Sequence, residues 1–174
     1  MHRKIFKNIE FMTKREITNL WKKVNELGVV FEAKDGKVIE RKLGDDDGDK
    51  VSKEVWKQDN TWKFCVFYAG KLLCHYTDII GIDENGKFIN GKMGGFYLGG
   101  YRPYGGDIYI DKQSAENAVK AAGPIDPKQL IIEKVEEIKR FGHNCLDSES
   151  SDYLDSISDE ILEILKSICK IKMG

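Results

Sequence analysis

The 174-residue chain has three prolines, four cysteines and no long apolar segment. Its cysteines include no C-x-x-C pair and no histidine at ligand spacing, so a structural zinc site is not expected. No apolar run approaches the length of a membrane span, and the N-terminal MHRKIFKNIEF lacks the apolar core of a signal peptide. These absences predict a cytoplasmic protein that has reduced thiols and does not bind a membrane.

The chain also lacks an excess of charge of either sign. It carries 28 basic and 29 acidic side chains, which give a formal net charge of −1. A net charge this small creates no overall field that would attract nucleic acid or an anionic membrane. The charge balance therefore disfavours nucleic acid as a partner.

Established catalytic motifs are absent as well. The sequence contains no G-x-S-x-G and no P-loop, and its glycine-rich stretch is not a dinucleotide fingerprint because its flanks have strand character on both sides. The acidic stretch GDDDGDK places Lys50 where a calcium loop requires glycine. We therefore expect no metal and no cofactor, and we favour a binding function over an enzymatic one.

The apolar pattern that is present predicts an α+β protein. Thr13 and Glu16 form a capping box, and apolar residues then recur at helical spacing up to Gly28. Short segments separated by turn residues follow, which predicts an antiparallel β-meander of about five to seven strands. Two or three helices complete the chain, one of which begins at Asp126-Pro127.

Composition divides the chain into three parts. Residues 1–142 are predicted to form a single α+β domain, residues 143–157 an acidic, serine-rich linker, and residues 158–174 an amphipathic helix. The isoleucines of this last part have the spacing of a two-heptad coiled-coil seam. We expect the helix either to dock on the same domain or to join two copies of the chain. The seam consists of Ile157, Ile161, Ile164, Ile168 and Ile171.

The strongest strand signal runs from Thr61 to Asp83 and contains one turn. A three-residue loop at residues 68–70 puts Gly70 in the left-handed position and fixes the predicted register. Cys65 and Cys74 then lie on opposite faces, which argues against a disulfide between them. The predicted apolar face contains Trp62, Phe64, Val66, Leu72, Cys74 and Tyr76, and the other face contains Lys63, Cys65, His75 and Thr77.

The segment GGFYLGGYRPYGG, residues 94–106, is the leading candidate for a functional site. Glycines between strands mark bulges, bends or a close approach of the backbone, so one interpretation is a curved hairpin packed by its own tyrosines. The alternative is a binding surface, because tyrosine rings, one arginine and backbone N–H groups suit an anionic or nucleotide-like ligand or a protein partner. The residues assigned to this surface are Tyr97, Gly99, Gly100, Tyr101, Arg102, Tyr104, Gly105 and Gly106.

A second candidate is the triplet His75-Tyr76-Thr77. It resembles the H-x-T element that two-histidine phosphodiesterases use in pairs, and the resemblance implies that His75 exchanges a proton and Thr77 orients a phosphate oxygen. A partner triplet is missing, because His143 is followed by Asn144 and Cys145. The sequence therefore predicts a small non-catalytic cytosolic binding protein: an inhibitor, a sequestering module or an adaptor. The alternatives are a small phosphodiesterase or nuclease centred on His75 and Thr77, and a structural homodimer joined through the isoleucine seam.

Overall fold

A computed structural model describes residues 11–69, 74–97, 100–142 and 159–166. The chain divides into two compact units, Met1–Ala122 and Gly123–Gly174. Within the described residues, the first unit holds all of the strands and two helices, and the second holds two helical segments. The predicted linker at 143–157 lies outside the described residues, so the domain boundaries proposed from composition stay predictions.

Helix α1, Lys14–Leu27, begins and ends as the sequence predicts. The Thr13 hydroxyl accepts a hydrogen bond from the Glu16 backbone N–H at 3.3 Å, and the Glu16 carboxylate accepts one from the Thr13 N–H at 2.7 Å. These bonds satisfy two of the backbone donors that a helix start leaves without partners. Gly28 ends the helix at φ 65°, the left-handed conformation that glycine adopts without strain.

Two antiparallel sheets follow α1, which confirms the predicted α+β class with an N-terminal helix and an antiparallel meander. The first sheet has five strands in the order β2-β1-β8-β7-β6, and the second has three in the order β3-β4-β5. The strands are β1 Val29–Lys34, β2 Lys37–Lys42, β3 Trp56–Gln58, β4 Thr61–Ala69, β5 Cys74–Ile79, β6 Gly81–Ile82, β7 Lys87–Tyr97 and β8 Gly100–Tyr109. Helix α2, Lys112–Ala122, closes the first unit; the second contains α3, Pro127–Gly142, and a helical segment at 159–166.

Backbone hydrogen bonds connect the two sheets. The segment after β2 runs along β4: the Gly44 N–H donates to the Phe67 carbonyl at 2.8 Å, and the Phe67 N–H donates to the Lys50 carbonyl at 3.0 Å. At the opposite side, the Ile80 N–H donates to the Ile89 carbonyl at 3.2 Å and links the end of β5 to β7. The strands therefore bury one common core together with the apolar stripe of α1. This core contains Ile17, Leu20, Val24, Val30, Leu43, Val51, Phe64, Val66, Tyr68, Ile79, Phe88 and Ile108.

The predicted register of β4 and β5 is wrong. In the structure Cys65 pairs with Asp78, Val66 with Thr77, and Ala69 with Cys74. Directly opposed residues of an antiparallel pair lie on the same face, so Thr77 lies on the core side with Val66 and not on the face of Cys65. The connection occupies residues 70–73 and not 68–70, and this changes which residues are opposed. Our prediction had derived the register from a turn preference. The structure instead adopts the register that buries the apolar residues of both strands together on the core side.

Candidate functional site

The glycine-rich segment forms most of the β7–β8 hairpin, which comprises residues 87–109. Its two strands pair Gly94 with Pro103, Gly95 with Arg102, and Phe96 with Tyr101. Gly99 lies outside the described residues, as do the side chains from 92 to 105. The binding roles assigned to Tyr97, Gly99, Gly100, Tyr101, Arg102, Tyr104, Gly105 and Gly106 therefore stay predictions.

The pairing of β7 with β8 shifts twice, as paired glycines in a strand context lead one to expect. Lys87 pairs with Tyr109 and Lys92 with Asp107, so five steps along β7 correspond to two along β8. Between Lys92 and Gly94 the imbalance reverses, because two steps along β7 correspond to four along β8. The segment thus belongs to a bulged hairpin, while the predicted packing by its own tyrosines concerns side chains outside the described part of the structure.

Gly106 shows what approaches the backbone at the end of this segment. A Cβ atom placed on Gly106 would overlap the carbonyl oxygen of Ala33 in β1. Gly91, earlier in β7, fills a similar role inside the core, where a Cβ would lie 2.6 Å from the Cβ of Phe88 and 2.9 Å from Cγ1 of Ile108. At these two positions the absent side chain allows the protein's own strands to pack.

The outer part of the hairpin lies at an edge of the sheet. Strand β1 pairs with β8 only from Asp107 to Tyr109, whereas the residues from Gly100 to Pro103 pair with β7. Among the described residues, no strand pairs with the other side of this part of β8. Pro103 agrees with this position, because proline has no N–H to donate and is confined to edge strands or bulges. The hairpin therefore extends past the end of its neighbouring strand.

The structure places the second candidate, His75 and Thr77, on β5. Thr77 is fully buried on the core side, opposite Val66, and His75 pairs in register with Tyr68. A hydroxyl buried in this way cannot contact a dissolved phosphoester while the sheet stays intact. His143, the second histidine considered from the sequence, lies outside the described residues. The geometry thus gives no support to a two-histidine site.

A cluster that sequence reasoning missed lies on the opposite face of β4 and β5. The Cys65 thiol donates to Oδ1 of Asp78 at 2.7 Å, and the Lys63 ammonium donates to Oδ2 of the same carboxylate at 2.9 Å. Burial raises the pKa of the Cys65 thiol, and the hydrogen bond to Asp78 and the negative charge of Asp78 raise it further, although Lys63 opposes them. The thiol therefore keeps its proton at neutral pH and is not an activated nucleophile. Only the correct register would have placed Asp78 beside Cys65.

A second missed feature is an ion pair between Glu32 of β1 and Arg41 of β2. The Arg41 guanidinium donates through Nη2 to Oε1 of Glu32 at 2.8 Å. The Glu32 side chain is 1% exposed and the Arg41 side chain is 38% exposed, so the pair connects the sheet interior to the surface. The alternation of β1 would have put Glu32 on the same face as Val30, but composition alone gave no reason to expect a buried carboxylate there.

Lysines cover the rings of two tryptophans on β3 and β4. The Lys63 ammonium lies 5.3 Å from the ring centroid of Trp56, and the Lys14 ammonium lies 5.0 Å from that of Trp62. Such cation–π contacts occupy ring faces that a nucleic-acid base would otherwise stack on. Each of these two rings therefore has a lysine ammonium over one face.

The described residues lack both a metal-binding cluster and a membrane-spanning helix. They contain no group of three or more His, Cys, Asp or Glu side chains that could hold a metal ion. In the acidic loop after β2, Oδ1 of Asp45 accepts hydrogen bonds from the backbone N–H groups of Asp47 and Asp49. This carboxylate therefore stabilises the turn in which it lies. Of the helices in this part of the chain, none is long and apolar enough to cross a membrane.

The fold and these sites define an α+β protein built on two connected antiparallel sheets, with one bulged, glycine-rich hairpin. In comparisons with known proteins, no family model matches the chain, and no curated protein and no solved structure is significantly similar to it.

Proposed function

We propose that this protein is a non-catalytic cytoplasmic binding protein that uses the β7–β8 hairpin to capture another molecule. The captured molecule is a small anionic or nucleotide-like ligand or a partner protein, and the protein acts as an inhibitor, a sequestering module or an adaptor. The observation that carries this proposal is the edge position of the hairpin: the part of β8 from Gly100 to Pro103 pairs only with β7 among the described residues. This part contains Tyr101 and Arg102, residue types suited to contacts with anions and aromatic groups.

The chemistry of the remaining molecule supports a binding role. The Cys65 thiol keeps its proton and donates it in a hydrogen bond to Asp78, and Thr77 is buried in the core. Burial and the charge of Asp78 raise the pKa of the Cys65 thiol, so the adjacent carboxylate does not make it an active nucleophile, and the buried Thr77 hydroxyl is out of reach of a substrate. The part of the hairpin from Gly100 to Pro103, by contrast, lies beyond the stretch of β8 that pairs with β1.

The proposal is tested with the double variant Arg102→Ala/Tyr104→Ala. We expect the wild type to retain a ligand detectable by native mass spectrometry, or to bind a member of a panel of ribonucleotides and inorganic phosphate in calorimetric titrations. The double variant should bind at least about tenfold more weakly, the loss of one charge-assisted contact, while its melting temperature stays within about 3 °C. Arg15→Ala, an exposed arginine on α1, is the matched control and should bind as the wild type does.

Two outcomes would contradict this proposal. If the double variant loses stability in parallel with binding, the hairpin residues serve the fold and not a ligand. If the wild type turns over members of the nucleotide panel and His75→Ala abolishes the turnover, the phosphodiesterase or nuclease alternative replaces a binding role.

A second candidate function, a structural homodimer, is favoured by apolar residues exposed on the second unit. Leu162 and Leu165 are 49% and 44% exposed, and Ile132 and Val135 of α3 are also exposed. Exposed large aliphatic side chains that cluster on a surface are typical of interaction sites. Light scattering of the full chain and of the variant Leu162→Ser/Leu165→Ser tests this: a dimer that the variant loses supports it, and a monomeric full chain excludes it.

A further inference from the structure

The outer part of β8 is an open edge of the five-stranded sheet. From Gly100 to Pro103 the strand pairs with β7 on one side, and among the described residues no strand pairs with its other side. Strand β1 reaches β8 only at residues 107–109, because β1 ends at Lys34 and the chain turns there into β2. An edge of this kind is a template on which a strand of another molecule can pair, and proteins protect such edges.

The register defines which backbone groups point toward the open edge. Only two residues separate Tyr97 from Gly100, so this pair closes the hairpin and the Gly100 N–H points toward β7. Successive peptide groups along a strand point in opposite directions. The Arg102 N–H therefore also points toward β7, whereas the backbone nitrogens of Tyr101 and Pro103 point toward the open edge.

Two features of this edge reduce its capacity to pair with another strand. The nitrogen of Pro103 carries no hydrogen, so an incoming strand would find one donor fewer at this position. Next to Pro103 the strand is bulged, because four steps along β8, from Pro103 to Asp107, correspond to two along β7. A bulge bends the strand and increases its twist, and both proline and bulges protect the edges of natural sheets.

We propose that Pro103 protects the open edge of β8 from pairing with β8 of a second copy of the chain. A second copy carries the same edge and is present wherever the protein is. In an antiparallel pair of two such edges, each Pro103 removes one hydrogen bond from a contact that is only a few residues long. This role does not depend on what the β7–β8 hairpin binds.

The first experiment measures amide hydrogen exchange of the wild-type chain by NMR. The Tyr101 N–H, which points toward the open edge, should exchange at about the rate of an unfolded peptide. The N–H groups of Gly100 and Arg102, which point toward β7, should exchange at least about tenfold more slowly. Equal exchange rates of these three amides would overturn the proposal.

The second experiment compares the self-association of Pro103→Thr with that of the wild type by analytical sedimentation. Threonine restores the N–H and favours an extended strand, so we expect an added, concentration-dependent association step at least about tenfold stronger than any in the wild type. Pro124 lies between α2 and α3, outside the strands, so Pro124→Thr is the matched control and should sediment as the wild type does.

Association through the second unit would be common to all three proteins and would leave this comparison unchanged. If Pro103→Thr does not fold, Pro103→Ala restores the same N–H and gives the same test. A folded Pro103 variant that sediments as the wild type does would show that another feature protects the edge, and the proposal would be wrong.

Discussion

Replacement of Gly106 by alanine tests the close approach of β8 to β1 most directly. The added Cβ would overlap the carbonyl oxygen of Ala33, which belongs to the backbone of the neighbouring strand. Rotation of a side chain cannot relieve this contact, so the two strands must move apart near the last pair of opposed residues, Ala33 and Asp107.

The expected size of the effect follows from two opposing contributions. Overpacking a well-packed region costs about 1–3 kcal/mol, and a clash with rigid backbone belongs at the upper end, about 3 kcal/mol. Gly106 does not have a positive φ, so alanine fits its conformation and restricts the unfolded chain, which returns about 0.7 kcal/mol. The free energy of unfolding should fall by about 2 kcal/mol, which lowers the melting temperature of a chain of this size by about 4–8 °C.

Gly81 of β6 provides the matched control. A Cβ on Gly81 would lie 3.1 Å from Sδ of Met12 and 3.3 Å from Cδ1 of Ile89, both ends of flexible side chains that can move aside. Gly81→Ala should therefore change the free energy of unfolding by less than about 0.5 kcal/mol. Guanidinium denaturation followed by tryptophan fluorescence measures both variants. Equal denaturation midpoints for Gly106→Ala and Gly81→Ala would refute the reasoning.

Three further predictions follow from the described contacts. Thr13→Ala removes the cap of α1 and should lower the free energy of unfolding by about 1 kcal/mol in chemical denaturation; no loss would show that the capping box contributes nothing. The Cys65 thiol should react slowly with iodoacetamide at pH 7.5 and faster in Asp78→Asn. Because its pKa is raised in the folded state, its contribution to stability is full below about pH 8.5 and declines as the pH rises further; equal labelling of native and unfolded protein would contradict this. Arg41→Met leaves Glu32 buried without its cation and should cost about 3 kcal/mol, and a neutral result would mean that water reaches the carboxylate.

Local signals in the sequence were sufficient for helix α1, for the β1–β2 turn and for the start of α3. The Thr13–Glu16 capping box and Gly28 delimit α1 because their hydrogen bonds join residues only a few positions apart. Likewise, Asp35 and Gly36 adopt the positive φ values that a tight hairpin turn requires, 53° and 72°. Asp126 accepts a hydrogen bond from the Lys128 N–H at the start of α3, where an N-terminal cap was predicted.

Register was beyond the reach of local signals. The β4–β5 pairing depends on which apolar residues are buried together, and one wrong assumption about the turn placed Thr77 on the wrong face in our prediction. The Cys65–Asp78 contact was missed for the same reason, since the two residues are 13 positions apart and meet only through that pairing. The candidate site on the β7–β8 hairpin could be located by its glycines, but its edge position follows from where β1 ends.

The sequence by itself determined the α+β class, the capped helix α1 and the β1–β2 turn, because each follows from patterns among near neighbours in the chain. Only the tertiary structure decided that the backbone of β1 packs closely against Gly106, that Glu32 is buried beside Arg41, and that Asp78 accepts a hydrogen bond from the Cys65 thiol. These contacts join residues on different strands, and strand pairing is selected by burial of the whole core.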